Sequence, residues 1–238
     1  MSVNHRVLYV GIGGTGVHVG KEFELALRRD LCGPDGKSLI RKGGAFKSLK
    51  PYQLPDYIQS LYFDFDDDAE QILQKGTDLN VELLRNNSTV IKSIHANGAT
   101  SYRVAAEMLR ADKETSTLTK KWLPEKSNEP QVAPLSDGAG QYPTVGRAAL
   151  TLSLKRSGNE LKAEIDKTIS KLVLAGGMLQ AMKNPADKPK VLCYVGFSVA
   201  GGTGTGVFYD VIHIIENRLK NILDNVEIKI FPLALMPS

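Results

Sequence analysis

The chain alternates short apolar runs with longer stretches in which apolar residues return every three or four positions. Val7-Leu8-Tyr9-Val10 is the first run, β-branched at two positions and closed by Gly11. It is too short for a helix and predicts a buried strand. Beyond Gly16, Val17, Phe23, Leu25 and Leu27 are mixed with Lys21, Glu22, Glu24, Arg28 and Arg29, which predicts a helix. Further strands are predicted at Leu61–Phe65, before the acidic run Asp66-Asp67-Asp68, at Val191–Ser198, and at Val226–Leu235. Helical spacing is strong from Val145 to Met182, where Leu161, Ile165, Ile169 and Leu172 share a face; Ser157-Gly158-Asn159 predicts a break into two helices. Val211, Ile214, Ile215 and Leu219 predict another helix from about Val207 to Leu223. Residues 69–123 read as helical in pieces, while 31–55 and 124–143, rich in Gly and Pro, read as loop. Strands alternating with helices predict an α/β fold of three layers, a mostly parallel sheet with helices on both faces.

Composition narrows the class. With 42% hydrophobic and 24% charged residues among 238, the chain is an ordinary globular one. No apolar run approaches the roughly 20 residues of a membrane helix, and no secretory cleavage site follows the first apolar run, so no membrane segment is expected. Cys32 and Cys193 form no disulfide framework, and Cys193 lies inside a strand-like run, which points to a cytoplasmic protein. A net charge of +4 suits an anionic ligand but is too small to imply nucleic acid, and no nucleic-acid partner is expected. Arg41, Lys42, Lys47 and Lys50 read as a solvated surface.

Two glycine clusters carry the candidate chemistry. Gly11-Ile12-Gly13-Gly14-Thr15-Gly16 follows the first strand, and Gly201 to Gly206 follows the strand ending at Ser198. Each opens a helix. In a parallel α/β sheet ligands bind beyond the carboxyl ends of the strands, and a helix N-terminus offers unpaired N–H donors to an anion. Glycine permits positive φ and keeps side chains away from a phosphate. A third cluster, Gly138-Ala139-Gly140, precedes the long helix. The first loop alone fits a dinucleotide fingerprint, although the acidic residue such a site wants comes late, at Asp64 or Asp66. A Rossmann-type NAD(P)-binding oxidoreductase module is therefore the alternative. The phosphate-loop template fails, because Gly20-Lys21 is followed by Glu22.

Taken together these residues resemble the tubulin/FtsZ superfamily of GTP-binding, filament-forming proteins. Ala200-Gly201-Gly202-Thr203-Gly204-Thr205-Gly206 is similar to the tubulin signature G-G-G-T-G-[ST]-G with alanine in first place. Gly11–Gly16 resembles the first phosphate loop of FtsZ. Gly138-Ala139-Gly140 with Pro143, Gly146 and Arg147 resembles its G-A-G-x-x-P-x-x-G-R loop, and Asp64-Phe65-Asp66 lies where FtsZ has Asn-Thr-Asp. The resemblance implies that Gly13, Gly14, Thr15 and Gly16 wrap the α- and β-phosphates of GTP. It gives Gly201, Gly202, Thr203, Gly204 and Thr205 the β- and γ-phosphates, with both hydroxyls donating, and sets Ala139 and Gly140 over the γ-phosphate. Asp66 becomes a magnesium-side carboxylate, and His18 stands where relatives carry Asn or Gln near the nucleoside.

It also implies one nucleotide-binding domain over 1–238 with a helical insertion at about 69–136, closest to divergent bacterial tubulin-like proteins. No counterpart of the family's C-terminal half, with its base-contacting and catalytic residues, is expected within the 238 residues. The implied function is a GTP-binding domain whose full form polymerises with itself, head to tail, or acts as a GTP-controlled scaffold. GTPase activity belongs to that assembled form, and the chain alone is expected to bind triphosphate weakly and not to turn it over. Gly204→Val is expected to block the phosphate volume directly.

Overall fold

The computed structural model of the chain describes residues 5–66, 69–75, 81–94, 101–132, 134–176, 179, 189–223 and 225–236. Five strands form one sheet: β1 (Arg6–Ile12), β2 (Ile58–Phe63), β3 (Ser88–Val90), β4 (Lys190–Ser198) and β5 (Glu227–Leu235). Their order is β3-β2-β1-β4-β5, and every neighbouring pair is parallel. The expected three-layer α/β architecture is the one observed. β1 and β2 are buried on both faces, as strands of a helix-covered parallel sheet must be.

One face is covered by α1 (Gly13–Cys32), which lies on Tyr9 and Tyr62. Its first turns sit close to the sheet because Gly16 and Gly20 present no side chain there. A Cβ at Gly16 would lie 2.5 Å from Gly196 O, and one at Gly20 would lie 2.4 Å from the Tyr9 ring. The Tyr9 hydroxyl donates to Gly16 O at 2.9 Å and fixes the register of helix on strand. The other face carries α7 (Pro143–Leu174) and α8 (Gly202–Ile222), which enclose Leu8, Val10, Ile12, Val191, Cys193 and Val195 in the main core. The short helices are α2 (Ser38–Arg41), α3 (Ala69–Gln74), α4 (Val81–Asn87), α5 (Tyr102–Ala111) and α6 (Ser116–Thr119). No helix among the described residues is long and apolar enough to cross a membrane.

Several expectations need correction. β3 is a strand inside the segment read as helical; three residues, Ser88-Thr89-Val90, carry no period to detect. Residues 31–55 contain α2 and a 3-10 turn, and 124–143 contain two such turns. The expected break in α7 is observed: the backbone leaves helical geometry at Ser157, where φ is −126° and ψ is 24°, so α7 is two helices joined across a kink. The expected end at Met182 lies outside the described residues.

The middle of α1 is anchored by charge. Glu24 and Arg28 pair at i, i+4 with both side chains almost fully buried. Arg28 donates to Tyr52 O at 2.6 Å and to Leu83 O at 3.1 Å, and Ser88 Oγ donates to Glu24. The pair thus joins α1 to the 50–55 turn, α4 and β3. Removing one partner leaves a buried charge, which costs about 3–5 kcal/mol, whereas apolar replacement of both costs much less. Arg28→Ala is therefore expected to lower urea-unfolding stability by about 3–5 kcal/mol, and Glu24→Leu/Arg28→Met to cost less than the sum of its single changes.

Candidate functional site

Both glycine clusters prove to be helix starts rather than loops before helices. α1 begins at Gly13 and α8 at Gly202, five residues earlier than the apolar period of that helix indicates. The preceding residues, Ile12 and Gly201, are extended, and no side chain caps either first turn. The first N–H groups of a helix have no partner within it, so both ends need acceptors from elsewhere, and at α8 Gly202 N finds one in the third loop. Strand pairing brings them together: β1 and β4 are neighbours in register, and each helix starts at its strand's carboxyl end. A Cβ at Gly13, whose φ is +71°, would lie 3.3 Å from Gly204 N.

The third loop closes the same space. Gly202 N donates to Gly140 O at 2.6 Å. A Cβ on Gly202 would lie 2.6 Å from Ala139 O, and one on Gly146 would lie 2.6 Å from Gly202 O. Here glycine is required because backbone packs on backbone. Ala139 itself is buried in the main core, which pins the loop from below.

The result is an open cleft of about 240 Å³ at the carboxyl edge of the sheet. Gly13, Gly14 and Thr15 line it, together with Ala139, Gly140, Gly201, Gly202, Thr203, Gly204 and Asp66. Three expected residues stand apart from that lining. Gly16 is buried beneath it against the sheet, and His18 is exposed on the surface of α1. Thr205 turns its hydroxyl back to donate to Val199 O at 2.9 Å, so it closes the strand end instead of facing the cleft. The reasoning behind Gly204→Val also changes. Gly204 has no positive φ, and a Cβ there would meet Ser198 O at 2.7 Å. The substitution would displace backbone, not fill the cleft.

Sequence reasoning passed over Asp137, Gly138 and Ser198 as site residues, and the cleft includes all three. Asp137 had a usable signal in its place directly before the third glycine loop; Ser198 had one as the last residue of β4. Asp64 also lines the cleft, beside Gly14. It is 3% exposed, and burial raises its carboxyl to about 6, with the Asp66 charge adding to the rise while the Phe65 and Asp66 N–H groups oppose it. The cleft thus combines carboxylates with the glycine-rich main chain of three loops.

A carboxyl whose pKa is higher folded than unfolded favours folding at low pH. That contribution fades as pH rises from about 4 and is gone above about 6, a loss of about 3 kcal/mol for a two-unit shift. Asp64→Asn keeps an oxygen for the Phe65 N–H and carries no charge. It is expected to raise the thermal midpoint of the ligand-free protein at pH 7.5 and to leave it nearly unchanged at pH 4.

The comparisons agree with this geometry. A protein-family model described as "Tubulin like" matches residues 8–238, which include all three glycine loops, Asp64, Asp66 and Asp137. No curated protein matches the chain. The family match covers nearly the whole sequence, and the chain belongs to the tubulin-like family.

Proposed function

We propose that the cleft binds the phosphates of GTP with a magnesium ion, and that the protein, acting in the cytoplasm, self-associates head to tail under control of that nucleotide. One observation carries the phosphate reading. Three loops far apart in sequence converge on a single cleft lined by glycine-rich main chain and two helix starts without side-chain caps, with no Lys or Arg among the described residues of its lining. Guanine and self-association are supported by family membership. The strand order is one that dinucleotide-binding sheets share, but the family match lends nothing to an NAD(P) reading.

The donor set suits magnesium. Asp64, Asp66 and Asp137 all line the cleft and offer hard carboxylate oxygens. Among the described residues no group of three His, Cys, Asp or Glu could hold a metal by itself. That fits an ion that keeps phosphate oxygens and waters in its shell. Once bound, it would neutralise charge on the terminal phosphates. Without it, three carboxylates face a polyanion, so chelation is expected to abolish binding.

The test is equilibrium binding of GTP, ATP and NAD, each with magnesium and with a chelator. GTP is expected to bind only with magnesium, with a Kd of about 10 μM to 1 mM. Binding of NAD in preference to GTP, or of none of the three, would overturn the proposal. Gly201→Val is a clean probe, since a Cβ at Gly201 meets nothing within 4 Å. It is expected to weaken GTP binding at least tenfold (about 1.4 kcal/mol) and to leave the thermal midpoint of the free protein almost unchanged.

Turnover is a separate matter. Phosphoryl transfer to water needs a group that orients the water, and among the described residues the lining contains no His, Lys, Arg, Asn or Gln. The 238-residue chain is expected to hold the triphosphate without hydrolysing it. Phosphate release is to be measured against protein concentration with magnesium present; a steep rise would show that this chain completes the catalytic site itself.

A further inference from the structure

Where the third loop enters α7, Arg147 lies between partners from two other parts of the chain. Its guanidinium carbon is 5.1 Å from the centre of the Trp122 ring. Its Nε is 3.8 Å from Asp210 Oδ2, two turns into α8. Trp122 belongs to the turn after α6, packs on the main core, and is the single tryptophan of the chain. Arginine suits this place because a planar guanidinium can lay its face on an indole while an edge meets a carboxylate.

The main chain around Arg147 has little slack. A Cβ at Gly206 would lie 2.2 Å from Pro143 O and 3.0 Å from Arg147 N, and Gly202 N is bonded to Gly140 O. The first turns of α7 and α8 and the third loop are thus one contiguous backbone contact, with one wall of the cleft at its surface.

We propose that Arg147 is a positioning residue for the terminal phosphate. Backbone contact sets how close the two helix starts come. The Trp122–Arg147–Asp210 stack sets how they are rotated against each other, and so the spacing between Gly138–Gly140 and the α8 N-terminus. A γ-phosphate in that space shifts the loop, and the stack carries the shift outward to Trp122. The segment around Trp122 then differs between the triphosphate and diphosphate states. This inference rests on the nucleotide reading above.

The experiment has two readouts. Trp122 emission of the wild-type chain is titrated with GDP and with a non-hydrolysable GTP analogue, both with magnesium. Calorimetry then gives the affinities of Arg147→Ala, Arg147→Lys and Asp210→Asn for the same two ligands. The analogue alone is expected to change the emission. Arg147→Ala is expected to lose about tenfold (1.4 kcal/mol) in affinity for the analogue while its GDP affinity stays within about twofold of wild type. Arg147→Lys, which keeps the charge without the planar stack, and Asp210→Asn are expected to fall between. Equal losses for both ligands, or emission that responds alike to both, would show a merely structural stack and overturn the proposal. If the wild-type chain binds neither ligand, the nucleotide reading fails and the proposal falls with it. A wild type that binds both without discrimination overturns the positioning role alone.

Discussion

Everything at the carboxyl edge depends on main chain meeting main chain without side chains between. The bond from Gly202 N to Gly140 O and the approach of Gly146 to Gly202 O hold three helix and loop ends within van der Waals contact. Any residue larger than glycine at positions 146, 202 or 206 would push these ends apart. The parallel sheet supplies the platform, since β1 and β4 run side by side and deliver α1 and α8 to the same edge. Chain entropy alone would not assemble four distant segments at one point. The burial of Ala139, Val145, Val207 and Phe197 in one core does so.

That arrangement carries an electrostatic cost. Two helix starts without side-chain caps share one cleft with Asp64, Asp66 and Asp137. The partial positive charge of a helix end favours nearby anions, yet Asp64 is buried enough that desolvation outweighs this and lifts its pKa. A fold selected for stability alone would place a neutral residue there. The buried Glu24–Arg28 pair shows the contrasting solution, in which opposite charges meet and neighbouring carbonyls and a hydroxyl support them, with Arg28 Nε alone left without a partner.

Much of the fold is legible in the residues. β1, β2 and β4 announce themselves because strands covered by helices are rich in apolar residues, and β5 is legible from its own β-branched and aromatic residues although it is mostly exposed. The starts of α1 and α8 are misread for the same physical reason in each case. Glycine disfavours a helix by about 1 kcal/mol relative to alanine, so a propensity argument places Gly13–Gly16 and Gly202–Gly206 in loops. Tertiary contact overrides that preference. The glycine spacing reveals where an anion could sit, but the roles within each cluster depend on direction. Thr203 and Thr205 are two residues apart in one signature, and one lines the cleft while the other bonds back to β4. Asp137 carries no pattern of its own and is legible only through its place directly before the third glycine loop.

Among the described residues, the outer edge of β5 is a poor template for a further strand. Glu227 N donates to Pro189 O, so N–H groups at odd positions of β5 point toward β4 and those at even positions point outward. Pro232 falls on the outward set and removes a donor from the middle of the exposed edge. At the opposite side of the sheet, β3 is only three residues long. Neither margin offers the long row of donors and acceptors that a new strand needs. Growth by sheet extension, the route to amyloid-like stacking, is therefore blunted at both sides.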